Sequence, residues 1–176
     1  MSILKVARMG HPVLRRRARE VEKAELSQPS IQKFIDDLID TMHEYHGVGL
    51  AAPQVHEGLR MFVALLDEDP DAKSEAAVII NPEIVPNGSV IEEGWEGCLS
   101  IPDIRGMVPR YTEVRLTALD RSGRAIELPL KAFPARIAQH ETDHLDGVLF
   151  FDRMKSFNTL TFLDEYSRFW AKDTDD

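Results

Sequence analysis

The segment His140-Glu141-Thr142-Asp143-His144 has the residue types and spacing best suited to chemistry. On a helix, residues four apart share a face and rise by about 6 Å, so His140 and His144 can grip one ion. Glu141 then lies on the flank of that ion, placed to take a proton from water rather than to ligate. A catalytic metal site commonly has three protein ligands and one position open for water, so a third ligand must come from elsewhere.

Three segments could supply it. In an extended HExxHxxGxxH pattern, Gly147 falls at the glycine position, but Phe150 stands where the third histidine would be. A downstream acid, Glu165, lies beyond a predicted strand, and nothing around it suggests a pocket. The single cysteine, Cys98, cannot form an internal disulfide, which leaves a buried core residue, a nucleophile or a metal ligand. Its setting, Glu96-Gly97-Cys98-Leu99-Ser100, is flanked by a glycine that lets backbone approach a ligand closely. One thiolate and two imidazoles form a donor set suited to Zn²⁺ or Fe²⁺. A further segment, Gly47-Val48-Gly49-Leu50-Ala51-Ala52-Pro53-Gln54, reads either as a packing turn of small residues or as a mount for Gln54. In the second reading the Gln54 amide donates a hydrogen bond to a developing oxyanion.

These residues must be held by a framework, and the hydrophobic pattern supplies one. A short N-terminal helix with a basic face is predicted after Pro12. From Ser30, the residues Ile31, Phe34, Leu38, Met42 and Tyr45 recur at helical spacing until Gly47. His43 and His46 fall in its last turns, where they suit the helix dipole and take a structural role. Strand-type runs follow at 61–66, at 78–80 and, more weakly, around Val90, with Pro82 and Pro86 expected to confine the middle region to edges or loops. Residues 114–119 and 126–128 flank Asp120-Arg121-Ser122-Gly123 as a hairpin. A second helix is predicted from about Pro134 to Asp146 with Gly147 as its stop, and a third from Asn158 to Trp170. Residues 1–176 are thus expected to form one α+β domain: antiparallel sheets packed around a central helix that carries HExxH, plus a C-terminal helix and a frayed acidic tail at 171–176.

Composition narrows the partners. With 30 acidic against 21 basic residues the formal charge is −9, which opposes direct nucleic-acid binding. No run approaches the about 20 apolar residues of a membrane span, and residues 1–10 lack an apolar signal core, so a cytoplasmic location is expected.

Taken together, GxGLAAxQ at 47–54, EGCLS at 96–100 and HExDH at 140–144 resemble the signatures of peptide deformylase, in the same order and across nearly the whole chain. The resemblance implies removal of the formyl group from N-terminal formylmethionine of nascent polypeptides. It implies one divalent ion, usually Fe²⁺, with Zn²⁺, Ni²⁺ or Co²⁺ as substitutes, held by Cys98, His140 and His144. Glu141 would serve as general base and then acid, while the Gln54 amide and the Leu99 backbone N–H meet the oxyanion. An extended peptide is expected to pair with backbone at Val48, Gly49 and Gly97. Val48, Phe133, Arg136, Ile137 and His140 become candidates to line the methionine pocket, Arg136 through its stem alone. Arg105 and Arg110 are read as structural salt-bridge partners. A monomer is expected, with transient ribosome proximity, because the acidic C-terminal tail lacks a basic stripe for ribosomal RNA.

Two rivals stay in view. An HExxH metallopeptidase would use His140, Glu141 and His144 without needing Cys98 or Gln54. A non-catalytic, metal-stabilised binder of formylated N-termini would need a fourth protein ligand to close its site.

Overall fold

The computed structural model describes residues 2–67 and 75–171. Among the described residues, two antiparallel sheets are built from eight strands: β1 (Gly49–Ala51), β2 (Met61–Ala64), β3 (Ala77–Pro86), β4 (Ile91–Cys98), β5 (Ile101–Tyr111), β6 (Glu113–Leu119), β7 (Ala125–Lys131) and β8 (Thr161–Phe162). The larger sheet runs β1-β2-β3-β6-β7 and the smaller β4-β5-β8, so β1 and β4 are both edge strands. Four α-helices among the same residues accompany them: α1 (Lys23–Leu26), α2 (Pro29–Glu44), α3 (Ala132–Leu145) and α4 (Leu163–Phe169).

The helix α3 carries HExxH and touches strands of both sheets. Its buried positions Pro134, Ile137, Ala138, Glu141, His144 and Leu145 recur every three or four residues, which turns one continuous face inward. Apolar members of that face pack with Phe62, Ile79, Val114 and Leu116 from the larger sheet. A second cluster, comprising Leu14, Ile101, Val108, Leu149 and Phe150, closes around Cys98 from the smaller sheet. The helix α2 starts with Pro29 in its first turn, where a missing N–H is tolerated, and buries Ile35, Leu38, Thr41 and Met42.

The structure corrects four expectations about the framework. The region after Pro12 is a single 3-10 turn, Pro12–Arg15, because Arg16 is already extended and only Leu14 is buried. The segment around Pro82 lies in a central strand, not at an edge or in a loop. Proline is accommodated there because the β3–β6 register shifts between Ile80 and Glu83, and β2 pairs only as far as Ile80. The weak strand expected around Val90 begins one residue later, at Ile91, and runs on to Cys98, pairing with β5 in a long hairpin that the hydrophobic pattern does not mark. The helix predicted over 158–170 is only α4, since Phe157–Thr159 is a 3-10 turn and Thr161–Phe162 add to the edge of β5. The acidic tail beyond Ala171 lies outside the described residues.

Candidate active site

Each ligand candidate is held by a different consequence of local structure. His140 and His144 are one helical turn apart on the inward face of α3, with ring centroids 4.9 Å apart. Cys98 ends β4 where the hairpin turns through Leu99 and Ser100, and the register shift there frees it from regular pairing. The distance from Cys98 Sγ to His144 Nε2 is 3.2 Å, and from His144 Nε2 to His140 Nε2 also 3.2 Å. The donor atoms of all three residues lie within 4.8 Å of one another. Metal–nitrogen and metal–sulfur bonds of about 2.0 and 2.3 Å set ligand separations of about 3.3 to 3.6 Å in a tetrahedron, so the cluster fits a single ion with little adjustment.

The surroundings support the same fit. Glu141 Oε2 and His144 Nδ1 are buried without a hydrogen-bond partner in the structure. Gly49 is required by Glu141: a Cβ at Gly49 would stand 2.4 Å from Glu141 Oε1. The glycine of β1 therefore makes room for the catalytic candidate as well as exposing backbone beside the groove.

A role not foreseen from the sequence falls to Glu96. It sits two residues before Cys98, so strand alternation turns both toward α3. Its Oε2 lies 2.9 Å from His140 Nδ1, which orients the imidazole with Nε2 toward the other ligands. Arg110 donates to both Glu96 oxygens, and Arg136 donates to Oε1. Arg110 also donates to Asp143, which receives Arg153 as well. Arg136 spends its remaining donors on the carbonyls of Glu92, Gly94 and Val108, so its charged head is turned away into β4 and β5. Arg105, expected as a salt-bridge partner, instead donates to the Ile104 carbonyl at 3.2 Å, and its guanidinium lies across Gly97 at the groove. A sequence signal for the Glu96 role existed in its position two before the cysteine, but it becomes readable only once 91–98 is known to be a strand.

Burial raises the Glu141 carboxyl to about 7, a value suited to exchanging protons near neutrality. Burial also disfavours charge on Glu96, but hydrogen bonds from His140 and Arg110 overcome it and hold that carboxyl well below its usual range. His144 is pushed down by burial and then by the neighbouring His140 charge. His140 is opposed by burial but raised well above the ordinary imidazole value by its contacts with Cys98 and Glu96.

These groups open into a groove of about 820 Å³. Val48, Gly49, Gln54, Gly97, Cys98, Leu99, Phe133, Arg136, Ile137, His140 and Glu141 all border it, while His144 lies behind them. Gln54, 2% exposed, is anchored when its Oε1 accepts the Ala51 N–H at 2.8 Å. Its amide nitrogen faces Cys98 Sγ at 3.5 Å and Ser100 Oγ at 3.3 Å, which leaves it beside the ligand cluster. Leu99 turns its side chain over Gly47, where a Cβ would meet Leu99 Cδ1 at 3.0 Å. Tyr45 and His46 complete the rim, although the sequence assigned His46 only to the helix end.

The model of the polypeptide deformylase family matches residues 3–159. The chain belongs to that family. A relative from a Nostoc species, Peptide deformylase 2, is 44% identical over 177 residues, covering 98% of this chain and 97% of the relative. Peptide deformylase 2 of Ralstonia nicotianae is 41% identical over 161 residues, covering 89% and 90%. Among solved structures, a class I type b peptide deformylase of Acinetobacter baumannii with Met-Ala-Ser bound superposes with a TM-score of 0.81 at 40% identity. That match covers 87% of this chain and 99% of the other. Peptide deformylase of Thermotoga maritima gives a TM-score of 0.79 at 37% identity, covering 89% and 100%. The chain is accordingly a metal-dependent deformylase that removes N-terminal formyl groups from peptides, and the metallopeptidase and non-catalytic readings are not favoured.

Proposed function

We propose that Cys98, His140 and His144 hold the ion, that Glu141 moves the proton, and that the substrates are formylmethionyl nascent chains. The convergence of one thiolate and two imidazoles beside a buried, unpartnered carboxylate oxygen carries this reading. A divalent ion bound there supplies Lewis acidity to the formyl oxygen and lowers the pKa of water. Glu141 Oε2 is free to accept the proton of the attacking water and to return it to the departing amine. Gln54, fixed by its bond to Ala51, presents its amide N–H to the developing oxyanion, with the Leu99 N–H as a second donor. Glu96 keeps the His140 ring oriented throughout.

The two edge strands suit the rest of the substrate. β1 and β4 border one groove, so a peptide lying extended between them can pair with backbone at Val48, Gly49 and Gly97 without selecting side chains. Val48, Phe133 and Ile137, with the Arg136 stem, would receive the methionine side chain. Fe²⁺ is the proposed native ion, supported by the family resemblance and by a donor set that also accepts Zn²⁺, Ni²⁺ and Co²⁺. The chain is proposed to act as a monomeric single domain in the cytoplasm, meeting nascent chains transiently near the ribosome. No helix among the described residues is long and apolar enough to cross a membrane.

Formate release from a formyl-Met peptide, with metal content measured after anaerobic purification, tests the reading. Activity should vanish on chelation and return with Fe²⁺. Cleavage of internal bonds in an unformylated peptide, without formate release from the formylated one, would overturn it.

A further inference from the structure

The family match stops at residue 159, yet the chain continues as β8 and α4, and this continuation lies against the groove. In β8, Thr161 pairs with Arg105 and Phe162 with Ile104 on the outer edge of β5. Leu163, the first residue of α4, then lines the groove beside Trp95 and Arg105. Tyr166 and Trp170 hold the Trp95 ring, at centroid distances of 4.9 and 5.5 Å. The direction of β4 explains why. Gly94 lies against Arg136 and Glu96 bonds His140, so even positions face α3 and odd positions, Trp95 and Gly97, face the other way. The Arg105 guanidinium lies across Gly97, so β8 braces the stretch of β5 that covers this face of the groove.

We propose that residues 160–170 form a strap that walls the peptide groove beyond the formylmethionine, with Leu163 and Trp95 contacting apolar side chains of the second and third substrate residues. Trp95 is three residues from Cys98, about 10 Å along an extended strand, a span that a substrate paired to β4 reaches with its third residue. The wall is apolar and aromatic and is contributed by the chain itself. It touches a part of the substrate that does not react, so it strengthens ground-state and transition-state binding alike and acts through KM. This inference rests on the deformylase activity and adds a binding determinant for the substrate residues that follow formylmethionine.

The test compares two substrates, formyl-Met amide and formyl-Met-Leu-Phe amide, on the metal-loaded full chain, on a chain ending at Thr159, and on full-length Leu163→Ser. For the tripeptide, both variants should raise KM about tenfold with kcat little changed, the effect of losing one well-buried apolar contact. For formyl-Met amide, kcat/KM should stay within about twofold, because that substrate ends before the strap. The point variant keeps β8 and the aromatic stack, so its result stands even if the shortened chain folds poorly. The proposal is overturned if the ratio of the two kcat/KM values moves by less than about twofold in Leu163→Ser, whether activity falls on both substrates or on neither. Turnover of formyl-Met amide by the full chain reports the deformylase reading itself, so its failure is seen separately.

Discussion

Replacing Arg110 by methionine tests the idea that the ion site stands on a buried charge network. Arg110 is 5% exposed and donates to Glu96 at 2.9 and 3.0 Å and to Asp143 at 2.5 Å. The side chains of Glu96 and Asp143 are themselves 4% and 9% exposed. Methionine keeps the apolar stem and removes every donor, leaving two carboxylates that solvent cannot reach. Breaking a buried pair from one side costs about 3 to 5 kcal/mol. Arg136 and His140 still serve Glu96, and Arg153 still serves Asp143, which places Arg110→Met near the lower bound, at about 3 kcal/mol. For a domain of this size that lowers Tm by about 6 to 12 °C. Thermal and urea unfolding of the metal-loaded protein read the change. Arg124→Met is the control, since its side chain is 81% exposed on Asp120, and should move stability by no more than about 0.5 kcal/mol. If Arg110→Met stays within about 1 kcal/mol of the wild type, the buried network does not support the ion site.

Glu96→Gln should weaken metal affinity about 10- to 100-fold in competition with a chelator, because His140 loses a charged acceptor; unchanged affinity would remove Glu96 from the account. Gln54→Ala should lower kcat about 10²- to 10³-fold while the ion stays bound, and a purely KM effect would contradict an oxyanion role. The Arg19–Glu25 pair should leave a mark on acid stability. Its hydrogen bond from Arg19, and then the Glu22 backbone, lower Glu25 from 4.5 to about 2. A carboxyl depressed on folding stabilises fully above its unfolded pKa, and that contribution is lost as pH falls through the folded one. Urea midpoints of wild type and Glu25→Gln should therefore converge between pH 4.5 and about 2, and parallel curves across that window would refute the coupling.

Periodicity carried much of the framework because α2 and the β6–β7 hairpin alternate buried with exposed positions, and α3, enclosed along most of its length, still buries its apolar residues every three or four positions. The same regularity placed His140, Glu141 and His144 before any fold was known. The β4–β5 hairpin escaped because Gly94, Gly97 and the acidic residues of 91–98 are poor strand formers alone. They hold a strand only through pairing with β5 and through Arg136, which needs the space a Cβ at Gly94 would fill. With that strand unread, the alternation that turns Glu96 and Cys98 to one side was also unread, so Glu96 could not be named as the carboxylate that Arg110 and Arg136 both bind. Pro82 misled for a related reason: whether a proline breaks a strand depends on the neighbouring register, which is a tertiary property.

The division of labour between Cys98 and Glu141 is tested most directly by measuring bound metal per chain and formate release on the same anaerobic preparations of Glu141→Gln and Cys98→Ala. The account predicts that Glu141→Gln keeps about one ion per chain with turnover reduced by two to four orders of magnitude, and that Cys98→Ala loses the ion and the turnover together. Full turnover in Glu141→Gln, or a Cys98→Ala protein that keeps both its ion and its activity, would contradict it.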